Sequence, residues 1–408
     1  MFFIAFFNLD KRGKVFTGTL FSLGFSIHFY YGYTGLELFD GISQNMAILA
    51  IVLLAPLLSI PLKLEGITKF VVSGLNRLKD DSRKLYYSVT SFMLILSPIL
   101  NVGSIRMVNE FVSDLHVKQK LLSNAYFGGI SPTFIWSPFF ASLGIILYYT
   151  GLTYLEYFPI GIIFVFFQVV VAFLLVGPIR KRTTDSTIER KKNQGFSPFY
   201  LLIIYVVLLV CILILLEEIT NKPMTLLVTV ICIFLPILYT ILRRKWSDIK
   251  TEVSLFKQQL TTNSNFEIAL FLSAGLLGNA LLSTKLDSLL KSIILWSSDI
   301  SIMLLFFLVI CFVTLMSIIG IHQIVVIPII LTLLISPDVN IGLFVSAFMC
   351  IFTWMLSASL SPLNVLNVII SRCVKTNGVR VAYYWNGKYF LSITILAFFY
   401  VFVLDILD

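Results

Sequence analysis

Long apolar runs alternate with short polar segments along the whole chain of 408 residues. Most runs approach the roughly 20 residues that a helix needs to cross the hydrocarbon core of a bilayer, and they lack the alternation of barrel strands. Because backbone polar groups inside a bilayer must be satisfied within the segment, the runs predict helices. The predicted helices lie at 15–33, 45–62, 86–105, 157–179, 197–216, 224–242, 266–283, 301–320, 323–336, 341–357 and 389–405.

Composition favours the same class of protein. Hydrophobic residues make up 58% of the chain and charged residues only 12%, which leaves too little polar surface for a soluble globule of this size. The net charge of +9 fits the excess of Lys and Arg in cytoplasmic loops, so it does not indicate nucleic-acid binding. The five cysteines are scattered without CxxC spacing and are expected to pack as small apolar residues. We predict an all-α polytopic membrane protein of roughly 10–12 helices.

Three basic segments, at 63–84, 180–192 and 243–250, mark the predicted cytoplasmic side of the membrane. The same rule places 150–156 outside and 372–388 inside, which requires an even number of crossings between 106 and 150 and between 320 and 372. Re-entrant hairpins and paired spans both satisfy that requirement.

The N-terminus is also expected on the cytoplasmic side. Its apolar start is followed by Lys11, Arg12 and Lys14, the reverse of the order in a secretory signal, so we expect it to be retained. The predicted location is the cytoplasmic membrane, with multiple passes.

The two halves of the chain resemble each other in short matches that keep the same order and a nearly constant offset. The matched segments are 55–62 with 274–281, 63–65 with 285–287, Gly103 with Gly320, and Ser137-Pro138 with Ser361-Pro362. The charge pattern makes 45–62 run inward and 266–283 run outward. The sequence therefore predicts two inverted-topology repeats.

These features divide the chain into four predicted parts. Residues 1–44 hold an N-terminal helix, and 45–179 form the first repeat. Residues 180–263 comprise a basic, flexible cytoplasmic loop, a two-span linker and an amphipathic helix on the inner interface. Residues 264–408 form the second repeat.

Serine–proline pairs inside apolar runs are the first candidates for a binding site. Proline has no N–H and clashes with the preceding turn, so such a pair breaks a helix and frees backbone groups for an ion or an anion. The predicted breaks are at Ser131-Pro132 and Ser137-Pro138, and at Ser361-Pro362 followed by Asn364 and Asn367. Amide, hydroxyl and carbonyl oxygens suit a hard cation such as Na⁺. The alternative is that these residues only tie helices together.

The Gly103 and Gly320 matches supply the other polar candidates. Ser104 and Arg106 follow the first, and His322 and Gln323 follow the second. Arg106 is a candidate ligand for a carboxylate or another oxyanion, and His322 a candidate proton or substrate contact. Alternatively, Arg106 lies at the outer interface, and His322 is a structural residue. Glu267, near an inner helix end, is expected to face the lipid headgroups.

Inverted halves with broken helices, together with the segments 265–281 and Ser361-Pro362-Leu363-Asn364-Val365-Leu366-Asn367, resemble the ion-transporter superfamily of dicarboxylate, citrate, gluconate and arsenite carriers. The resemblance implies paired hairpins that meet near the membrane midplane, elevator-like movement, a homodimer and Na⁺ coupling. The chain lacks a Ser-Asn-Thr tripeptide at either break, and it has no membrane-embedded Asp pair.

We therefore predict a secondary transporter of a small anionic solute, coupled to Na⁺ or H⁺ and without another cofactor. Its predicted site lies where the Ser137 and Ser361 breaks face each other, with Asn364, Asn367 and Ser104 contributing. Its predicted partners are the solute and the bilayer. No enzyme activity is expected, although a membrane enzyme of polysaccharide or lipid-linked sugar metabolism, or an assembly component, shares the many apolar spans.

Overall fold

The computed structural model of the protein describes residues 1–32, 42, 46–66, 81–112, 117–175, 197–244, 246–282 and 284–407. Within these ranges the regular secondary structure is helical throughout, without a strand. The predicted loop at 180–192 and the flexible segment around it lie outside the described residues.

The helices carry one continuous numbering. In the first half they are α1 (Phe2–Phe7), α2 (Lys11–Tyr30), α3 (Met46–Leu54), α4 (Ile60–Leu64), α5 (Ser82–Leu100), α6 (Gly103–Val112), α7 (Gln119–Ile130), α8 (Thr133–Trp136), α9 (Ala141–Thr150) and α10 (Tyr154–Leu174). In the second half they are α11 (Ser197–Thr220), α12 (Met224–Arg243), α13 (Trp246–Asn263), α14 (Asn265–Leu282), α15 (Lys285–Ile300), α16 (Ile302–Ile318), α17 (Gln323–Leu334), α18 (Leu343–Leu360), α19 (Val365–Cys373) and α20 (Gly387–Leu407). A 3₁₀ turn, Ala55–Ser59, joins α3 to α4, and a π-helical turn, Arg380–Trp385, precedes α20.

Six of the described stretches are long and apolar enough to cross a membrane. They are Gln119–Thr150, Tyr154–Leu174, Tyr200–Thr220, Met224–Arg243, Leu343–Leu360 and Gly387–Leu407. Four further apolar helices are shorter: Leu49–Leu64, Asn265–Leu281, Ile302–Ile318 and Gln323–Leu334. All of these helices except Gln119–Thr150 overlap a predicted apolar run.

Two of the longer helical regions, 119–150 and α15, were absent from the predicted runs. The first contains the polar residues Ser123, Asn124 and Ser131, and its mean hydropathy of 1.6 is lower than that of the other five long stretches. Helix α15 carries charged residues along its length. A pattern of continuous apolar residues therefore does not find either helix.

The centre of the molecule is formed by α7–α9 and α18. Within their most apolar windows, 89% of the residues of the 119–150 stretch and 83% of those of α18 are buried, against 28–39% for the other long stretches. Helix α18 packs against α8, α9, α16, α17 and α20. The two most buried stretches are also the ones whose helices are interrupted by serine–proline pairs.

On one side of this centre α2 packs closely along α14. A Cβ at Gly24 would lie 2.9 Å from the backbone nitrogen of Leu277, so glycine is what permits the approach. The predicted amphipathic helix is present as α13, which buries Ile249 and pairs Glu252 with Lys63 at 3.5 Å.

Candidate functional site

Helix α16 ends in a Schellman motif around Gly320. Gly320 adopts φ +101°, which favours glycine. Its N–H donates to the Ser317 carbonyl (3.2 Å), and the Ile321 N–H donates to the Met316 carbonyl (2.8 Å). His322 then caps α17, because its Nδ1 accepts the backbone N–H two residues later at 3.2 Å. The apolar run is thus interrupted by a complete helix end and a complete helix start.

Helix α18 is interrupted in a different way at Ser361-Pro362. Ser361 takes an extended conformation (φ −70°, ψ 119°), and so does Asn364 (φ −68°, ψ 142°). Asn364 caps α19, with its Oδ1 accepting from the Leu366 N–H at 3.0 Å. The predicted break at this serine–proline pair is therefore present in the backbone.

The structure brings these two breaks together through a directed series of hydrogen bonds. Asn364 Nδ2 donates to Gln323 Oε1 (3.2 Å), and Gln323 Nε2 donates to Ser317 Oγ (2.8 Å). Ser317 Oγ donates in turn to the Ser357 carbonyl (3.3 Å), while Ser361 Oγ donates to the Ser317 carbonyl (2.7 Å). We call these five residues the polar cluster.

The polar cluster lies at two helix starts, those of α17 and α19. The first N–H groups of a helix have no partner within it, and the helix dipole makes that end positive. Ser361 and Gln323 beside these groups are fully buried, whereas Val365, the first residue of α19, is 42% exposed. The arrangement can hold an anion by backbone N–H groups without a cationic side chain.

Asn367, one turn into α19, offers an acceptor next to the polar cluster. Its Nδ2 donates to the Ser359 carbonyl at 3.2 Å, while its Oδ1 is buried and has no hydrogen-bond partner among the described residues. A buried carbonyl oxygen without a partner costs about 1–3 kcal/mol, which a bound cation or a donor group would offset. Gly378 lies close to Asn367 Oδ1, since a Cβ at this glycine would be 3.2 Å from that oxygen.

A second pair of helices turns at Asn101, between α5 and α6. Asn101 has φ +50°, and across it Ser97 Oγ and Ser104 Oγ lie 2.9 Å apart. Ser104 Oγ also donates to the Asn101 carbonyl at 2.6 Å. The residue that takes the turn is therefore Asn101, and the prediction that Gly103 corresponds to Gly320 is wrong, because Gly103 is the first residue of α6.

The break at Ser137 repeats the backbone of the break at Ser361. Ser137 is extended (φ −83°, ψ 124°), and three residues later Phe140 is extended as well (φ −95°, ψ 136°). In both breaks the later residue donates its N–H to the serine carbonyl at 3.2 Å. Ser137 Oγ accepts from the Phe139 N–H at 3.3 Å.

The predicted break at Ser131-Pro132 is only slight: α7 ends at Ile130 and α8 begins at Thr133, but the chain does not change direction into an extended conformation. Ser131 (φ −60°, ψ −37°) and Pro132 (φ −60°, ψ −30°) both keep helical dihedrals, which the fixed φ of proline allows. The hydroxyls of Ser131 and Thr133 donate to the carbonyls of Phe127 (2.7 Å) and Ile130 (2.6 Å). These two hydroxyls thus supply donors to carbonyls beside the proline, and the backbone keeps helical dihedrals there.

The polar partners of Ser361 differ from the prediction. Ser361 was expected to face Ser137, and α8 does pack against α18. Within the described residues, however, no hydrogen bond joins the two serines, and those of Ser361 and Asn364 lead to Ser317 and Gln323. Five of the predicted site residues are fully buried: Ser104, Ser137, Gln323, Ser361 and Asn367.

Arg106 lies apart from the polar cluster. It is exposed, on the part of α6 that packs against α19, and close enough to Cys373 and Glu267 for its charge to act on both. The charge pattern placed Glu267 and 372–388 on the inner side and 106 on the outer side, and these side assignments conflict with the packing of α6 against α19. Glu267 is half-buried, and within the described residues its Oε2 has no hydrogen-bond partner.

The conflict arises because α6 runs back toward the start of α5. Ser104 is bonded to Ser97 near the turn, whereas Asn109 accepts a hydrogen bond from Tyr126 at 3.1 Å. Tyr126 lies half a turn from Gly128, where a Cβ would lie 3.3 Å from the Tyr86 hydroxyl in the first turns of α5. The stretch 119–150 forms a single candidate span of 32 residues.

Sequence reasoning missed Ser317 and Ser97. Each serine lies about one helical turn before the residue that takes the turn, Gly320 and Asn101 respectively. That spacing was a usable signal, because the last carbonyls of a helix lack partners within it and attract polar side chains.

The fold and the polar cluster define an all-helical protein with membrane-length apolar helices and a polar site buried between interrupted helices. A comparison of its sequence with protein families and with curated proteins finds no match.

Proposed function

We propose that this protein is a secondary active transporter that moves a small anionic solute across the cytoplasmic membrane, driven by a Na⁺ or H⁺ gradient. The observation that carries the proposal is the hydrogen bond between Asn364 and Gln323, which joins two helix starts inside an apolar core. Interrupted helices inside a membrane are tolerated where they line a site, and their free ends bind substrates and coupling ions in many carriers. Helix-start N–H groups would hold the anion, and Asn367 Oδ1 would hold a cation beside it.

We further propose that α5–α6 and α16–α17 are re-entrant hairpins that enter from opposite sides of the membrane, within two inverted repeats. Two observations support this. The first helix pair carries Ser97, Asn101 and Ser104. The second carries Ser317, Gly320 and Gln323 in the same order and with nearly the same spacing.

The second observation is that contacts hold each helix pair at the end opposite its turn. The ion pair of Lys291 with Asp338 ties the segment after α17 to α15, which precedes α16. In the other pair, Asn109 of α6 accepts a hydrogen bond from Tyr126 of α7, which packs along α5. A hairpin that enters from each side would give the solute access from each side in turn.

The proposal is tested by the thermal stability of the purified protein with Na⁺, Li⁺, dicarboxylates, citrate, sugar acids and oxyanions. A ligand that prefers the native state stabilises it by about 2.7 kcal/mol at a concentration 100 times its Kd. We expect a saturable rise in Tm with one solute class, and loss of that rise in Ser361→Ala.

Ser346→Ala is the matched control, because Ser346 is a buried serine of the same helix, several turns from the break. It should keep the rise in Tm. No response across the panel, or equal responses in both variants, would overturn the proposed site and favour a membrane enzyme or an assembly component.

A further inference from the structure

A groove with a volume of about 580 Å³ runs along α2 beside the Gly320 turn. Its walls are Val15, Phe16, Thr19, Leu20 and Leu23 of α2 and, from the turn itself, Ile321. The surface that these residues expose in the groove is entirely apolar. Leu20 is buried at the floor, whereas Val15 and Leu23 at the rim are 63% and 50% exposed. The groove is thus open on one side and built from two separate parts of the chain.

One end of the groove carries a positive charge. Lys11, the first residue of α2, lines that end with the apolar part of its side chain and is exposed. Within the part of the chain that the structure describes, Lys11 has no ion-pair partner. The neighbouring carboxylate of Asp10 caps α2 by accepting from the Gly13 N–H at 2.9 Å. Lys14 adds a further cation to this end.

The length of the groove fits one leaflet of a bilayer. From Lys11 to Leu23 the helix advances by twelve residues and rises about 18 Å. Half of a hydrocarbon core is about 15 Å thick. An apolar groove of leaflet length with a cation at its membrane-surface end matches the shape and the charge of a lipid with an anionic headgroup.

We propose that this groove is a binding site for an anionic phospholipid of the surrounding bilayer. The headgroup phosphate lies at Lys11, and one acyl chain extends along α2 and contacts Ile321. The bound chain thereby packs against the residue that follows Gly320, on the outside of the turn that carries Ser317 and Gln323. This site is independent of the transported solute, so it stands whether or not the proposed transport activity is correct.

The test compares phosphatidylglycerol with phosphatidylcholine of identical acyl chains, added to the detergent-purified protein, with Tm as the readout. We expect phosphatidylglycerol to raise Tm by several degrees more than phosphatidylcholine. Lys11→Gln should abolish the difference between the lipids. Thr19→Trp, which fills the groove from its exposed rim, should abolish the response to both lipids.

Helix α20 offers matched controls. Lys388 lies near the start of α20, as Lys11 does in α2, and Ile395 is 64% exposed about two turns later. Lys388→Gln and Ile395→Trp should leave both lipid responses unchanged. If Thr19→Trp is poorly folded, Val15→Trp replaces it, and the phosphatidylglycerol retained by Lys11→Gln is counted by native mass spectrometry.

Three results would overturn the proposal. Equal responses to the two lipids in the unmodified protein would show that the headgroup does not contact Lys11. An unchanged response in the tryptophan variants would show that the lipid does not bind in the groove. A Tm that depends on protein concentration instead of lipid would assign the groove to a second copy of the chain.

Discussion

Asn364 uses both ends of its side-chain amide: Oδ1 accepts the N–H of Leu366 in the first turn of α19, and Nδ2 donates to Oε1 of Gln323, the first residue of α17. This one residue therefore fixes the start of α19 and its position relative to α17. Gln323 Nε2 in turn donates to Ser317 Oγ. Because Asn364 must present Oδ1 to cap α19, the amide orientations of Asn364 and Gln323 are both determined. A solute that binds here would have to fit this fixed order of donors and acceptors or displace it.

Replacing Asn364 separates its two roles. Asn364→Ser keeps an N-cap acceptor but is too short to reach Gln323, which should cost about 1 kcal/mol. Asn364→Ala also loses the cap and should cost about 1 kcal/mol more. Tm should therefore fall in the order wild type, serine, alanine, while the solute-dependent rise is lost in both variants. Equal Tm values for serine and alanine would contradict the capping role.

Ser317→Ala should destabilise the protein more than Ser97→Ala, although the two serines hold corresponding places. Without the Ser317 hydroxyl, Gln323 Nε2 is buried without an acceptor, which costs about 1–3 kcal/mol. Without the Ser97 hydroxyl, Ser104 still donates to the Asn101 carbonyl, so the cost should stay below about 1 kcal/mol. Chemical or thermal unfolding of the two variants measures the difference. A larger loss in Ser97→Ala would contradict this assignment of the hydrogen bonds.

The cap that His322 provides for α17 requires an unprotonated Nδ1. Protonation places a hydrogen on that nitrogen, so the contribution of about 1 kcal/mol is present when the imidazole is neutral and is lost as the pH falls. His322→Asn retains a cap without a titratable group and should lose less stability on acidification than the wild type. Tm measured across pH 5–8 tests this. Parallel profiles of the two proteins would show that the His322 cap does not contribute.

The course of α6 predicts that Arg106 and Lys375 face the same side of the membrane, opposite to Asp338. Arg106 lies near Cys373, whereas Asp338 pairs with Lys291 at the open end of α16–α17. In a background that lacks the native cysteines, Arg106→Cys and Lys375→Cys should react with a membrane-impermeant thiol reagent from one side. Asp338→Cys should react from the other side only. Labelling of Arg106→Cys together with Asp338→Cys would contradict the proposed hairpins.

Two glycines of the first half should respond oppositely to alanine. A Cβ at Gly129 would lie 2.4 Å from Met93 Cβ and 2.6 Å from the Thr90 carbonyl, so Gly129→Ala should separate α7 from α5 and cost about 1–3 kcal/mol. Gly103 has no atom within 4 Å of such a Cβ, and Gly103→Ala should be neutral or stabilise α6 by up to about 1 kcal/mol. Unfolding of the purified variants checks both. A stable Gly129→Ala would contradict the close packing of α5 and α7.

Features that depend on a short stretch of sequence were predictable. The apolar runs locate most of the helices because burial of a continuous segment is a local property. The break at Ser361-Pro362 also follows from the sequence, since Asn364 supplies the N-cap that restarts the helix. Ser131-Pro132 looks the same locally, but hydroxyl groups satisfy the carbonyls beside it, and both residues keep helical dihedrals between α7 and α8.

The sequence by itself determined most of the helical segments, that they suit a membrane, and the helix breaks at Ser137 and Ser361. Only the tertiary structure decided that the Ser361 break shares its hydrogen bonds with Ser317 and Gln323, and that Arg106 lies beside Cys373. The physical reason is that these contacts join residues far apart in the chain. They depend on how α6 and α17 turn back at Asn101 and Gly320, which hydropathy and charge patterns do not specify.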